Sequence, residues 1–219
     1  MRYNDTIDIN NRNKSHTRII KLIPERSRVL DVGCSTGFLG EFLKREKKCS
    51  VDGIEYDREA GALALKRLDA CVVGDVEDGR ILSAFKGKKY DRIIAGDILE
   101  HLRDPQGLLK TFSKMLSDDG CVILSLPNVA HLRIRLKLLM GRFEYTDGGI
   151  MDSTHLRFFT HETAKRLITD SGYTIVHEEH TLGPRIGGLS LLERILPKRL
   201  FAPQFLFVIK PVKPQDAVS

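Results

Sequence analysis

Cysteine is sparse in this 219-residue chain and unpatterned. Cys34, Cys49, Cys71 and Cys121 stand apart, without C-x-x-C spacing or histidines nearby. That excludes a sequence-encoded zinc site and suits reduced core thiols of a cytoplasmic protein. Long apolar runs are missing, so no stretch reads as a membrane span. Met1 to Asn13 is polar and lacks the apolar core of a secretory signal. Charge of one sign is not concentrated either. Thirty-five Lys and Arg against 29 Asp and Glu leave a net +6, which permits an acidic or phosphorylated acceptor without requiring one. The basic residues are scattered and no nucleic-acid module is present, so no nucleic-acid partner is expected. Internal repeats, low-complexity segments and a run of metal-ligand residues are all absent, so no metal is expected. Residues 1–32 contain no glycine at all.

What is there begins at residue 29. Val29-Leu30-Asp31-Val32 reads as a short strand, Gly33 to Gly37 as a glycine-spaced turn, and Phe38 onward as a helix. Phe38, Leu39, Phe42 and Leu43 fall on one helical face, which packs the helix back on the sheet. Backbone amides opening such a helix face a ligand, and the helix dipole there favours negative charge. A nucleotide-like ligand at the carboxyl end of a first strand follows. Three functions compete for the turn. The dinucleotide fingerprint G-x-G-x-x-G fails at Ser35. Gly33-Cys34-Ser35-Thr36-Gly37 does satisfy the G-x-S-x-G nucleophile elbow, but an elbow follows several strands and a glycine-bearing oxyanion loop, which the first 32 residues do not supply. The third rests on a family resemblance, taken up below.

Taken in order, residues 1–13 form a loose arm and Ser15 to Ile23 a short helix with Ile19, Ile20 and Ile23 inward, stopped by Pro24. Cys49 to Glu55 reads as a second strand, and Glu55 lies 18 residues past Gly37, near the offset at which a carboxylate holds a ribose diol. Arg58 to Leu68 is a helix with Ala60, Leu63, Ala64 and Leu68 inward; Ala70 to Gly74 and Tyr90 to Ala95 are the third and fourth strands. Asp104 caps and Pro105 starts a helix whose buried face is Leu108, Leu109, Phe112 and Leu116, ended by Ser117-Asp118-Asp119-Gly120. Cys121 to Leu126 is the fifth strand. Residues 131–142 are basic and apolar and fit both a strand and a helix; the helix reading is preferred. Thr160 caps a further helix carrying Ala164, Leu167 and Ile168, ended at Ser171-Gly172. Tyr173 to Glu178 and Gln204 to Lys210 are antiparallel closing strands.

Asp31-x-Gly33-x-x-x-Gly37 resembles motif I of the class I S-adenosylmethionine-dependent methyltransferases. The phrase Asp97-Ile98-Leu99-Glu100-His101-Leu102-Arg103-Asp104-Pro105 resembles the motif after strand four of small-molecule methyltransferases, including the ubiquinone-biosynthesis O-methyltransferases. Gly141-Arg142-Phe143 through Thr160 resembles wording found in a subgroup associated with glycan and polar-metabolite biosynthesis. The resemblance spans roughly residues 16 to 211. It implies one α/β domain over 1–219, a doubly wound Rossmann-like sheet of seven strands, mostly parallel with an antiparallel last strand, and helices on both faces. Segments 129–160 and 183–202 become lids or acceptor-binding insertions. It implies S-adenosylmethionine as cofactor, S-adenosylhomocysteine as product, and cofactor contacts from Asp31, Gly33, Cys34, Ser35 and Gly37, from Glu55 and Tyr56, from Asp75 and Val76, and from Gly96 and Asp97.

Methyl transfer from a sulfonium is an in-line displacement, for which alignment of donor and acceptor matters most. A neutral hydroxyl is a poor nucleophile, so O-methylation gains from a base poised near neutral pH. His101, after the fourth strand, and His155, beside Asp152 and Arg157, are the two candidates. Arg157 either binds an acceptor phosphate or carboxylate, or pairs with Asp152. His161, His177 and His180 read as surface positions. The expected partner is a small polar acceptor, a sugar or related metabolite free or carried on a lipid or nucleotide. In that last case the basic-apolar stretches 131–142 and 189–200 become candidates for peripheral membrane contact. The competing reading keeps cofactor binding without catalysis, as a partner or sensor protein.

Overall fold

The computed structural model describes residues 15–181 and 197–213. The arm at 1–13 and most of the insertion at 183–202 lie outside the described residues.

Local chemistry builds the first half unit by unit. Helix α1 (Ser15–Leu22) puts Ile19 and Ile20 inward, with Ile23 after it, all fully buried, before Pro24 ends it. Strand β1 (Arg28–Val32) runs into the glycine turn and helix α2 (Phe38–Lys47), whose Leu39 and Leu43 are buried. Strand β2 (Ser50–Glu55) follows, then helix α3 (Arg58–Ala64), capped by the Asp57 side chain on the Ala60 amide. This helix stops four residues earlier than its pattern suggests, and Leu63 is exposed rather than inward. Strand β3 (Ala70–Val73) leads into α4 (Gly79–Ser83), too short to show an apolar period, and then strand β4 (Tyr90–Gly96). Asp104 caps α5 (Pro105–Met115) through the Gly107 amide, with Pro105 in the first turn.

The end of α5 differs from the expectation. Leu116 is buried, but it belongs to strand β5 (Leu116–Pro127), where it pairs with Tyr90. Ser117 to Gly120 is therefore an irregularity inside the strand, after which Arg92 pairs with Cys121. Residues 132–139 are helical, as α6 (Leu132–Leu139). Helix α7 (His161–Asp170) starts from a reciprocal capping box of Thr160 and Thr163 and buries Ala164 and Ile168. Strands β6 (Tyr173–His180) and β7 (Gln204–Pro211) complete the sheet.

The seven strands lie in the order β3-β2-β1-β4-β5-β7-β6. All pairings from β3 to β5 are parallel, and β7 is antiparallel to both β5 and β6. One core packs Leu30, Val32, Ile93 and Leu124 with Leu109, Phe112, Ile168 and Phe207. The other packs α1 and α2 on the opposite face through Ile19, Ile20, Leu39, Leu43 and Val51. Inward residues alternate between these faces along each strand, the consequence of a period-two backbone covered on both sides. No helix among the described residues is long and apolar enough to cross a membrane.

Candidate functional site

The carboxyl ends of β1, β2, β3 and β4 come level, because Val32 pairs with both Ile54 and Ala95 while Glu55 pairs with Val73. Sequence order reverses between β1 and β4, so a crevice opens there. The turn across it, residues 33–37, has three members in the left-handed region: Gly33 (φ 74°), Ser35 (φ 50°) and Gly37 (φ 78°). Gly33 is glycine for a second reason. A Cβ there would sit 2.1 Å from Cδ1 of Ile98, which closes over the turn from the far side of the crevice.

The hydrogen bonds reverse one expectation. Ser35 donates its amide to Oε2 of Glu55 at 2.7 Å, and Asp57 donates its own to Oε1 at 2.9 Å. Gly33 and Cys34 both donate to the Ile54 carbonyl. The turn's amides are thus met largely by the protein, and a carboxylate already occupies the place an anionic ligand would take. Asp31, 4% exposed, adds a second carboxylate behind the turn. Burial, and then the Glu55 charge, push its pKa up to about 7. A carboxylate at the crevice with a second one buried behind the turn suits a cationic nucleoside with a ribose diol. S-adenosylmethionine, with sulfonium and ammonium charges and a ribose diol, has that character. This is the fit of residues to cofactor.

The other expected cofactor residues distribute as follows. Cys34 is buried under Gly53, its Sγ 3.8 Å from that of Cys71, so only its backbone belongs to the turn. Tyr56 is 76% exposed beside Glu55, an open platform. Asp75 accepts the Glu77 amide at 2.9 Å, and Val76 is buried just beyond β3. Gly96 ends β4. Asp97 takes φ 56° and is held there by the Ser125 hydroxyl at 2.9 Å and by the Gln204 side-chain amide. Those two partners carry no motif. Sequence reasoning missed both, because they come from β5 and β7 and meet Asp97 only after folding.

His101 and His155, 54 residues apart in the chain, meet edge to face with ring centroids 4.8 Å apart. Close to both lies Glu100, which the sequence reading passed over although it stands in the same phrase as His101. Residues 155–157 are tied to it: the amides of Leu156 and Arg157 both donate to the Glu100 carbonyl, at 2.9 and 3.0 Å. Arg157 directs its guanidinium to the carbonyls of Leu102 and Arg103. It pins this loop to the segment after β4, on the exposed surface, rather than pairing with Asp152. Asp152 instead accepts the amide and hydroxyl of Thr154. Burial, with the nearby His101, lowers the pKa of His155 and so favours its neutral ring. Burial also raises Glu100 to about 9, with Asp97 and Asp152 adding to it. Spacing alone showed no grouping of metal-ligand type; folding assembles one, with a ligand atom from each of Glu100, His101 and His155 within 4.8 Å of the others.

Two histidines expected at the surface are not fully there. His161 and His180 lie against Phe205, with the His161 Nε2 2.6 Å from Glu178, while His177 is exposed as expected.

Comparison with known proteins agrees with this geometry. Among solved structures, an S-adenosylmethionine-dependent methyltransferase from Archaeoglobus fulgidus is similar over 94% of this chain and 95% of its own, with 20% identity and a TM-score of 0.63. Magnesium protoporphyrin IX methyltransferase from Synechocystis PCC 6803, solved with bound S-adenosylhomocysteine, aligns over 90% of this chain and 83% of its own, at 16% identity and TM-score 0.61. The plantazolicin methyltransferase BamL aligns over 94% and 84%, at 18% identity and TM-score 0.61. At these identities the likeness establishes the fold. No curated protein matches the chain. The methyltransferase domain family matches residues 10–178. The chain therefore belongs to the methyltransferase domain family, with S-adenosylmethionine as cofactor and S-adenosylhomocysteine as product.

Proposed function

We propose that this methyltransferase acts on a hydroxyl of a small polar acceptor, a sugar or related metabolite, carried on an anionic lipid or nucleotide group. The observation that carries the reading is the Glu100, His101 and His155 cluster. It is joined to the cofactor turn through Ile98, which lies against Gly33. An acceptor oxygen placed there has a neutral imidazole beside it, where a hydroxyl proton can leave as the oxygen attacks. The cofactor supplies the methyl group; the protein's part is alignment and removal of that proton.

The surroundings favour a sugar-like acceptor. Phe158 lies 6.1 Å from His155, and Phe143 and Tyr145 continue outward from it, with Phe143 and Tyr145 exposed. Aromatic faces of this kind stack on the apolar faces of sugar rings while leaving the hydroxyls to polar groups. Beyond them α6 presents Leu136, Leu138 and Leu139 to solvent, interleaved with Arg133, Arg135 and Lys137. This mixture of exposed apolar and basic side chains suits an anionic carrier or the lipid surface that holds one.

The test is transfer of labelled methyl from S-adenosylmethionine to panels of free sugars, sugar nucleotides and lipid-linked sugars, with amine and carboxylate acceptors alongside. O-methylated product from the hydroxyl panels alone supports the reading. Methylation confined to nitrogen, carbon or carboxylate would overturn it.

A further inference from the structure

Among the described residues, Glu100 has the one carboxylate that is sealed from solvent with both oxygens lacking a hydrogen-bond partner. The residue is 1% exposed. An ionised carboxylate in that state is costly, and a protonated one leaves its donor unsatisfied, so neither form is at rest without a ligand. Two imidazoles stand by it: His155 holds Nε2 4.0 Å from Oε1 of Glu100, and His101 offers a ring nitrogen within 4.8 Å of the same group.

The two rings are prepared in the same way. Nδ1 of His101 is 3.3 Å from both the carbonyl and the hydroxyl of Thr154, the hydroxyl giving its own proton to Asp152, and Nδ1 of His155 is 3.3 Å from the Ile150 carbonyl. A carbonyl only accepts, so each Nδ1 carries the proton and each Nε2 keeps its lone pair. Histidines that ligate metals show this arrangement, the second nitrogen donating to a backbone carbonyl and so fixing tautomer and ring direction. Asp97 and Asp152 add negative charge around the cluster.

We propose that Glu100, His101 and His155 bind a divalent transition-metal cation of the zinc class. Two imidazole nitrogens and one carboxylate oxygen select Zn2+, Mn2+ or Co2+ over Mg2+ and Ca2+, which take mostly oxygen. Around a tetrahedral ion with bonds of about 2.0–2.2 Å, ligand atoms stand about 3.4 Å apart, so the present separations close by small ring and carboxylate rotations. Three protein ligands leave a further position for water or an acceptor hydroxyl, the arrangement of catalytic rather than structural sites. This deepens, and rests on, the hydroxyl-acceptor reading: a hydroxyl on the open position gives its proton to bulk water more readily, and the histidines then act as ligands and not as bases.

The experiment is titration of chelator-treated full-length protein with Zn2+, Mn2+ and Co2+ by calorimetry, with the visible absorption of Co2+ as a signature of nitrogen-containing coordination. Wild type is expected to bind one ion. Glu100→Gln and His155→Gln should each weaken it about 100-fold or more, since even outer partners of metal ligands cost 10–100-fold. His177→Gln, at an exposed histidine, should change nothing. S-adenosylhomocysteine binding, measured in parallel, shows that each variant is folded and tests the cofactor site by itself. No ion bound by wild type, or undiminished binding by Glu100→Gln that still binds S-adenosylhomocysteine, overturns the metal proposal and leaves the hydroxyl reading standing. Metal binding together with methylation confined to non-hydroxyl acceptors retains the site and removes the acceptor class.

Discussion

Replacing Asp31 by Asn has two effects of opposite sign. Asp31 is buried, and its pKa rises from 3.8 to about 7 on folding through desolvation and the Glu55 charge. The native state therefore holds this proton more tightly than the unfolded chain, and stability falls as pH climbs from about 4 to 7, staying low above that. A shift of about three units corresponds to about 4 kcal/mol of destabilisation at pH 8, of which about 2.5 kcal/mol accrues between pH 5 and pH 8. Asn has the same shape without the charge. Asp31→Asn should be more stable than wild type at pH 8, and its advantage should shrink by about 2.5 kcal/mol at pH 5. For a chain of this size that difference is about 5–10 °C in melting temperature. The same change should weaken S-adenosylmethionine, because the carboxylate that strains the free protein is the one that attracts a cation. Denaturation at the two pH values, with cofactor titration at pH 8, measures both. A variant that is less stable than wild type at pH 8, or one that binds the cofactor unchanged, refutes the argument.

Glu55→Gln should weaken S-adenosylmethionine about 10-fold in calorimetry, about 1.4 kcal/mol, the net worth of one charged hydrogen bond. Unchanged affinity would remove Glu55 from the site. Gly33→Ala must strain a left-handed backbone and displace Ile98, so a melting-temperature drop together with lost cofactor binding is expected. Tyr173 is buried and donates its hydroxyl to the Leu109 carbonyl at 2.7 Å, so Tyr173→Phe should cost about 1 kcal/mol in urea denaturation without altering cofactor affinity.

Much of the fold was legible because its signals are local. Pro24, Asp104-Pro105 and Thr160 mark helix ends through capping chemistry that needs no distant partner, and each stands where the pattern placed it. Leu116 was misplaced because an apolar residue at helical spacing does not reveal where its helix stops, and Leu63 because α3 buries the narrower face of Ala60, Gly61 and Ala64. The glycine turn showed a ligand site but not its charge preference. That depends on Glu55 turning back onto the Ser35 amide, a contact between residues 20 apart. The cluster at Glu100 was the least legible. His101 and His155 were each visible as single candidates, but their meeting depends on the 155–157 loop returning to the Glu100 carbonyl.

The place of β7 carries a consequence for how this protein comes to be active. It is the last of the described strands in the chain, yet it lies between β5 and β6, which do not touch each other without it. Gln204, its first residue, also holds Asp97 in its left-handed conformation at the edge of the cofactor crevice. A chain still emerging from the ribosome can assemble β1 to β5 from neighbouring segments, but β6 waits for a partner made some thirty residues later. Closure of the sheet and the placing of Asp97 at the crevice thus depend on one strand, and its pairing with β5 spans the widest sequence separation in the sheet, the kind of contact whose chain-closure cost is greatest.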